Sequence, residues 1–592
     1  MNNQPITQLL KRLWHHISPR RRGQFGLLLV LTLLASFAEI LSLGSVLPFL
    51  AVLTGPERVF EHAAAQPLIK AFELTTPTQL LLPLTIIFGV AALLTGAMRL
   101  LLLWASTRLS FATGADLGIS IYRRTLYQSY AVHCARNSSE VINGISGKAN
   151  GVIYSIILPF LTLISASVML IAIFVALLLV EPVIALLAFG GFGLIYVVII
   201  RLTRKQLLNI GERAARESTQ VIKSLQEGLG GIRDVLIDGS QETYCQTYRR
   251  ADLSLRRAQG GNAFIGTSPR YGMEALGMLL ISALAYSMAI QSDGIAKAIP
   301  VLGVLALGSQ RMLPVLQQAY AAWSGIRGGQ ASLQDTLELL DQPLPDYVSQ
   351  PDAKPLPFMH SISLRQIGFR YSPQTPYVLN QINLTIGKGS LVGFIGTTGS
   401  GKSTLLDIVM GLLQPTDGAL EIDGQPVGPG NCRAWQAHIA HVPQAIFLSD
   451  STIEENIAFG VSKDKIDIQR VRQAAQQAQI AESIENWPKQ YQTFVGERGI
   501  RLSGGQRQRI GIARALYKQA DVIIFDEATS ALDNETEQAV MQAIEGLSKD
   551  LTLLIIAHRL STLKNCTQIV ELGDGSIKRV GSYQSIVNQT AP

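Results

Sequence analysis

The sequence predicts an all-α membrane domain of six helices followed by an α/β domain of the phosphate-loop class. Two observations carry this. Six long apolar runs occupy the first half of the chain, and the second half holds GTTGSGKS, Gly396 to Ser403, directly after an apolar strand pattern at Leu391 to Ile395. The totals agree, since 592 residues with 48% hydrophobic and only 16% charged side chains, and a mean hydropathy of +0.26, are too apolar for an ordinary soluble chain. A net charge of +7 could suggest nucleic acid, but the basic residues flank apolar runs as the positive-inside rule places them, so no nucleic-acid partner is expected. Cys134, Cys245, Cys432 and Cys566 show no metal-ligand spacing and read as reduced structural thiols.

In chain order, Ile6 to Ile17 sets Leu9, Leu10, Leu13 and Trp14 against Lys11, Arg12, His15 and His16, which predicts a helix lying in the inner interface. Adjacent His15 and His16 point to different faces and do not suggest a metal site. Spans follow at Gln24 to Leu53, Leu80 to Ser106, Tyr154 to Val180, Pro182 to Arg201, Gly272 to Ile290 and Ala298 to Leu316, each long enough to cross. Arg20 to Arg22, Arg108, Arg123, Arg124, Arg136 and the basic stretch from Arg201 to Arg270 share one side, so both termini are expected in the cytoplasm of an inner (plasma) membrane protein. The connections Thr107 to Gly151 and Leu202 to Pro269 are polar and helical in pattern, extending the spans into the cytoplasm. Pro56 to Leu74 fits an amphipathic helix on the outer face. Five prolines between Pro343 and Pro357 mark a linker, which gives a transmembrane domain at 1–340, a linker at 341–358 and a nucleotide-binding domain at 359–592.

Glu39, Arg99, Glu274 and Arg311 lie within or at the ends of spans, with Arg270 just outside. A charge at a helix centre costs about 2.5 to 3.5 kcal/mol on insertion scales, so each is expected to face the bundle interior or a wet cavity. Two readings stand. In one, Arg270 pairs with Glu274, Arg99 snorkels and Arg311 pairs with Glu39. In the other, Arg99, Arg270 and Arg311, with Glu39 nearby, form a basic collar for an anionic headgroup.

In the second half, backbone N–H groups from Gly399 to Thr404 and the helix dipole are expected to hold the phosphates of ATP, with Gly396, Thr397, Thr398, Ser400 and Gly401 completing the loop. Lys402 should reach the outer phosphates and Ser403 should ligate Mg²⁺. Tyr371 either stacks on adenine or packs within its strand. VIIFDE, Val522 to Glu527, is an apolar strand that delivers two carboxylates to the phosphate edge, Asp526 for Mg²⁺ and Glu527 for the attacking water. Gln444 follows the strand His438 to Val442 with an amide able to touch both metal and water. His558 closes the strand Thr552 to Ile556 and can donate to the γ-phosphate. LSGGQ, Leu502 to Gln506, is a second glycine-rich helix start (Ser503, Gly504, Gly505, Gln506) able to hold the same nucleotide from its other side, so one ATP is expected to be shared between two copies.

This set, together with VGERG at Val495 to Gly499 and SALD at Ser530 to Asp533, resembles the nucleotide-binding domain of ABC transporters. With six spans before it, the whole chain resembles an ABC exporter half-transporter. The resemblance implies a homodimer in which Ser503 and Gly505 of one copy cap the ATP on the other's phosphate loop and Asp533 lines the seam. Closure would drive the membrane helices from inward-open to outward-open. It also implies an ABC-type ATPase with two working sites, since Glu527 is present. Ala131 to Asn137 and Gly239 to Tyr248 match the family's coupling helices in position.

Within the exporters, Ser36 to Phe49, the outer segment and Ser268 to Gly277 are similar to bacterial lipid-linked oligosaccharide flippases. That implies Arg99, Arg270 and Arg311 on a pyrophosphate and a lipid-linked sugar or glycolipid as cargo. A multidrug or peptide exporter, and an importer built on the exporter fold, remain as alternatives.

Overall fold

The computed structural model describes residues 4–54, 56–61, 66–71, 74–180, 182–289, 312–349, 355–527, 533–545, 550–557 and 563–587. Two compact units result, one from Met1–Gln128 with Arg136–Leu344, the other from Ser129–Ala135 with Pro345–Pro592.

The first unit is helical. Ile6–His16 buries Leu9 and Leu13 against Leu333, Leu337 and Leu340, while Arg12 and His16 both bond the Asp341 carboxylate. The two histidines of this helix part as expected, His15 turning back to the Lys11 carbonyl at 2.7 Å. Long helices follow at Pro19–Thr54, Leu81–Leu126, Leu158–Val180, Pro182–Gly230, Pro269–Ala289 and 312–328. Among the described residues, Pro19–Ser42, Pro77–Leu126 and Ser138–Val175 are long and apolar enough to cross a membrane. The second and fourth helices run 46 and 49 residues, well beyond their apolar parts, because the polar continuations keep a helical pattern with no proline to stop them. The first two are joined by a hydroxyl as well as by apolar contact: Thr95 donates to the Ala38 carbonyl at 2.9 Å, whereas the buried Thr32 and Ser36 hydroxyls donate within their own helix, to the Leu28 and Thr32 carbonyls.

The outer segment differs from the single helix expected over Pro56 to Leu74. Its described parts form two short helices, Pro56–Phe60 and Gln66–Ala71, then a 3₁₀ turn at Pro77–Leu80. Pro67 sits in the first turn of the second piece, where a missing N–H costs nothing, so proline opens a new helix there.

The second unit is built on two sheets. Its strands are β1 (Ser361–Phe369), β2 (Leu379–Gly387), β3 (Leu391–Gly396), β4 (Asp417–Ile422), β5 (Gln425–Pro426), β6 (Ile439–Val442), β7 (Val522–Asp526), β8 (Thr552–Ile556), β9 (Gln568–Gly573) and β10 (Ser576–Gly581). An antiparallel sheet runs β2-β1-β4-β5, and the larger sheet runs β10-β9-β3-β8-β7-β6 with β9, β3, β8, β7 and β6 mutually parallel. Val392, Phe394, Val522, Ile524, Phe525 and Ile555 are almost fully buried, because a parallel strand covered on both faces must be apolar at every position. The four cysteines are free thiols, Cys134 and Cys245 exposed, Cys432 and Cys566 buried.

Candidate functional site

β3 ends at Gly396, and the chain turns through Gly396, Gly399 and Gly401, whose φ angles of 148°, 84° and 97° are open to glycine. At Gly396 a Cβ would stand 2.2 Å from the Leu572 carbonyl oxygen, so the loop is pressed against β9. The turn feeds the helix Lys402–Val409, whose first N–H groups have no helical partner. Lys402 is buried and its ammonium donates to the Gly396 and Thr397 carbonyls at 2.8 and 3.0 Å, folded back over the loop it opens. Ser403 is exposed, and Ser400 is buried with a hydroxyl oxygen that makes no hydrogen bond to described residues. An orphaned hydroxyl beside the unpaired first-turn N–H groups of a helix is the geometry that a polyphosphate satisfies. Nothing stands within 4 Å of a Cβ built at Gly399, so the cradle is open on that side.

Tyr371 leaves β1 more than half exposed, packs edge-on against Phe369 with centroids 5.0 Å apart, and sets its hydroxyl 3.3 Å from that of Thr404. Both sequence readings of this tyrosine meet here: one edge packs on the strand, while a large surface stays available for a base.

β7 delivers Asp526 and Glu527. Asp526 is half-buried, and burial first, then the neighbouring Glu527 charge, push its carboxyl above the usual range despite Lys402. Glu527 lies in the left-handed region at φ 52°, its N–H bonded to the Ile556 carbonyl at 3.2 Å. The Gln444 amide donates to Glu527 Oε2 at 2.7 Å, a contact between two expected site residues that the sequence reading did not foresee. Asp407 was also missed. One turn beyond Ser403 on the same helix face, its carboxyl is pushed up to about 6 by burial and by the charge of Asp526. The i, i+4 spacing from Ser403 was its only signal. Asp407 and Asp526, each raised by burial and by a neighbouring carboxylate, form with the exposed Ser403 hydroxyl an oxygen donor set suited to a hard divalent cation, which is a fit for Mg²⁺.

LSGGQ forms its own helix start. Ser503 caps Gly504–Lys518: its hydroxyl accepts the Gln506 N–H at 3.2 Å, and its N–H donates to Gln506 Oε1 at 2.9 Å. Gly504, Gly505 and Gln506 are only partly covered. Asp533 caps Asn534–Glu545 through the Thr536 N–H and hydroxyl at 2.9 and 2.8 Å, bonds that hold its carboxyl below the usual range. In the first unit Arg99 lies 2.7 Å from the buried Glu39 carboxylate, and Arg270 lies 2.8 Å from Glu274. One sequence reading pairs Glu39 with Arg311 and lets Arg99 snorkel; among the described residues Arg99 stands beside Glu39, one turn along the second helix from Thr95, which bonds the Ala38 carbonyl. His558 and Arg311 lie outside the described residues.

A family model described as ABC transporter matches residues 379–530, and one described as ABC transporter transmembrane region matches residues 25–286. An ATP-dependent lipid A-core flippase of Alkalilimnicola ehrlichii is 31% identical over 407 residues, 67% of each chain. The chain belongs to the ABC transporter family. A second protein named ATP-dependent lipid A-core flippase, from Cupriavidus metallidurans, is 26% identical over 98% of this chain and 94% of its own. A solved bacterial Atm1-family ABC exporter with ATP bound shares the fold, with a TM-score of 0.76, 24% identity, and coverage of 94% and 96% of the two chains. The chain is therefore an ABC exporter half-transporter, a membrane region fused to an ATPase whose hydrolysis is coupled to transport.

Proposed function

We propose that the chain works as a homodimer in the inner membrane and flips a lipid-linked oligosaccharide or glycolipid from the inner to the outer leaflet. The observation that carries this reading is a cavity of about 660 Å³ in the first unit. Leu29, Leu103, Leu161 and Met169 give it apolar walls, and Arg99 and Arg22 supply its cations. Arg99 is half exposed while Glu39 is buried, so the carboxylate anchors one edge of the guanidinium and its other N–H groups stay open to a ligand. Apolar walls around a fixed cation suit an acyl or polyprenyl chain ending in a phosphate. Two of the relatives described above are named for flipping a glycolipid.

In the ATPase cycle Lys402 leaves its two loop carbonyls for the outer phosphates. Mg²⁺, held by Ser403 and Asp526 with Gln444 in reach, would neutralise phosphate charge. Glu527 orients and polarises the attacking water, and His558 donates to the γ-phosphate. The partner's LSGGQ helix start, Ser503 to Gln506, caps the nucleotide, and Asp533 lines the seam.

Turnover of the protein in lipid discs, measured against anionic glycolipids, drugs and peptides, tests the cargo. Glycolipid should stimulate hydrolysis, and Arg99→Ala and Arg311→Ala should each lose most of that stimulation while basal turnover stays. Stimulation by drugs or peptides alone would favour a multidrug or peptide exporter, and an unchanged glycolipid response in both variants removes the cation role.

A further inference from the structure

Three helices of the first unit are interrupted, and their interruptions meet. The third long helix keeps its axis from Ser138 to Val180 but widens to a π turn twice: the Ala149 N–H bonds the Gly144 carbonyl and the Leu158 N–H bonds that of Ile153, each five residues back. The fifth breaks between Gln241–Thr267 and Pro269–Ala289, where Pro269 has no N–H for the preceding turn. The sixth breaks at Gly329, between 312–328 and Gln330–Leu340.

Small residues bring these breaks together. A Cβ built at Gly329 would stand 2.6 Å from Ser155 Cβ, inside the second π turn. One at Gly211 on the fourth helix would stand 2.3 Å from the Gly328 carbonyl, and one at Gly328 would stand 2.4 Å from Asn262 Oδ1 on the fifth. A Cβ built at Gly266 would stand 3.4 Å from the Ser324 hydroxyl oxygen; Ser324 is 1% exposed, and neither its hydroxyl nor Asn262 Oδ1 has a hydrogen-bond partner among the described residues. A rigid helical crossing would bury such groups paired or not at all. Backbones in near contact, weakened helical ladders and unspent hydrogen-bonding capacity are what a sliding joint needs: little side-chain interlocking to break, and polar groups ready to bond in a second arrangement.

We propose that Ser155, Gly211, Asn262, Ser324, Gly328 and Gly329 form a shear joint about which the cytosolic parts of the third, fifth and sixth helices move relative to their membrane parts during the ATP cycle, sliding along the unbroken fourth helix at Gly211. It works by letting Gly329 slide past the π turn at Ser155. The cargo does not enter the argument, so the joint stands or falls independently of the flippase reading.

The test is a clash and its relief. Gly329 has φ −86°, so alanine there is tolerated by the backbone and acts through its methyl group alone. Spin labels on native Cys245 and on a cysteine replacing exposed Leu126, in a Cys134→Ser background diluted with unlabelled protein, report the distance within one chain with and without ATP and vanadate. Gly329→Ala should reduce the nucleotide-induced distance change at least twofold, and Ser155→Gly added to it should restore the change. Both variants are first shown to be folded by their thermal unfolding midpoints. A full distance change in folded Gly329→Ala overturns the joint, and so does a reduced change that Ser155→Gly fails to restore. Should Gly329→Ala not fold, Ser324→Ala takes its place: removing the unspent hydroxyl should shift the resting distance distribution, and an unmoved distribution overturns the proposal.

Discussion

Glu527 carries the sharpest expectation at the level of single residues. Glu527→Gln keeps the left-handed backbone and a partner for Gln444 but removes the base, so ATP turnover should fall about 10² to 10⁴-fold while nucleotide binding persists, as measured by hydrolysis and by equilibrium binding. Asp423 gives a pH-dependent one. Burial works to raise its pKa, but the N–H groups of Met359, His360 and Ser361 outweigh that and hold the carboxyl below the usual range. A carboxyl depressed in the folded state adds stability above the ordinary carboxylate range and loses it as pH falls through the folded value. Asp423→Ala should therefore cost about 1 to 2 kcal/mol near neutral pH, by denaturant titration, and the difference from wild type should shrink in acid.

Among the elements, the N-terminal helix hangs on one carboxylate. Arg12 and His16 share Asp341, and Arg22 donates back to the carbonyls of Trp14, Ile17 and His15. Asp341→Ala should leave the apolar contact of Leu9 and Leu13 but loosen the helix by about 1 kcal/mol, seen as faster tryptic cutting at Lys11 and Arg12. The signature helix Gly504–Lys518 is fixed differently, through Arg514, which donates to the Asn456 carbonyl at 3.0 Å, stacks on Phe459 and has its pKa lowered to about 10 by burial. Arg514→Ala should cost about 3 kcal/mol in thermal or denaturant unfolding, because Asn456 is fully buried and loses a charged partner. Neither tether was legible in the sequence, since each joins residues far apart in the chain. What was legible is local: the phosphate loop with its glycines, the apolar strand that ends in Asp526 and Glu527, and the capping pattern of Ser503 and Gln506. Asp407 and the Gln444 to Glu527 bond depend on how helix and strands pack. The second π turn leaves no mark, because Ile153 to Ile157 lies in a run that is apolar on most sides, where a shift of the face by one residue does not show.

For the molecule as a whole, the proposed sharing of each nucleotide between two copies would make activity depend on pairs. When Glu527→Gln chains are mixed in equal amount with wild type and allowed to reassort, turnover should fall to about a quarter if each dimer needs both bases, against about half if the copies act alone. A linear decline across the mixing series would show instead that the two sites of a dimer fire independently. The distribution of thiols has a practical corollary. Cys134 and Cys245 are open to solvent, whereas Cys432 and Cys566 are sealed in the nucleotide-binding core, where burial also pushes the Cys432 thiol up. Maleimide reagents should thus decorate two exposed helical positions in the native protein and reach the remaining two only on melting, which makes alkylation stoichiometry a built-in gauge of whether detergent has preserved the ATPase fold.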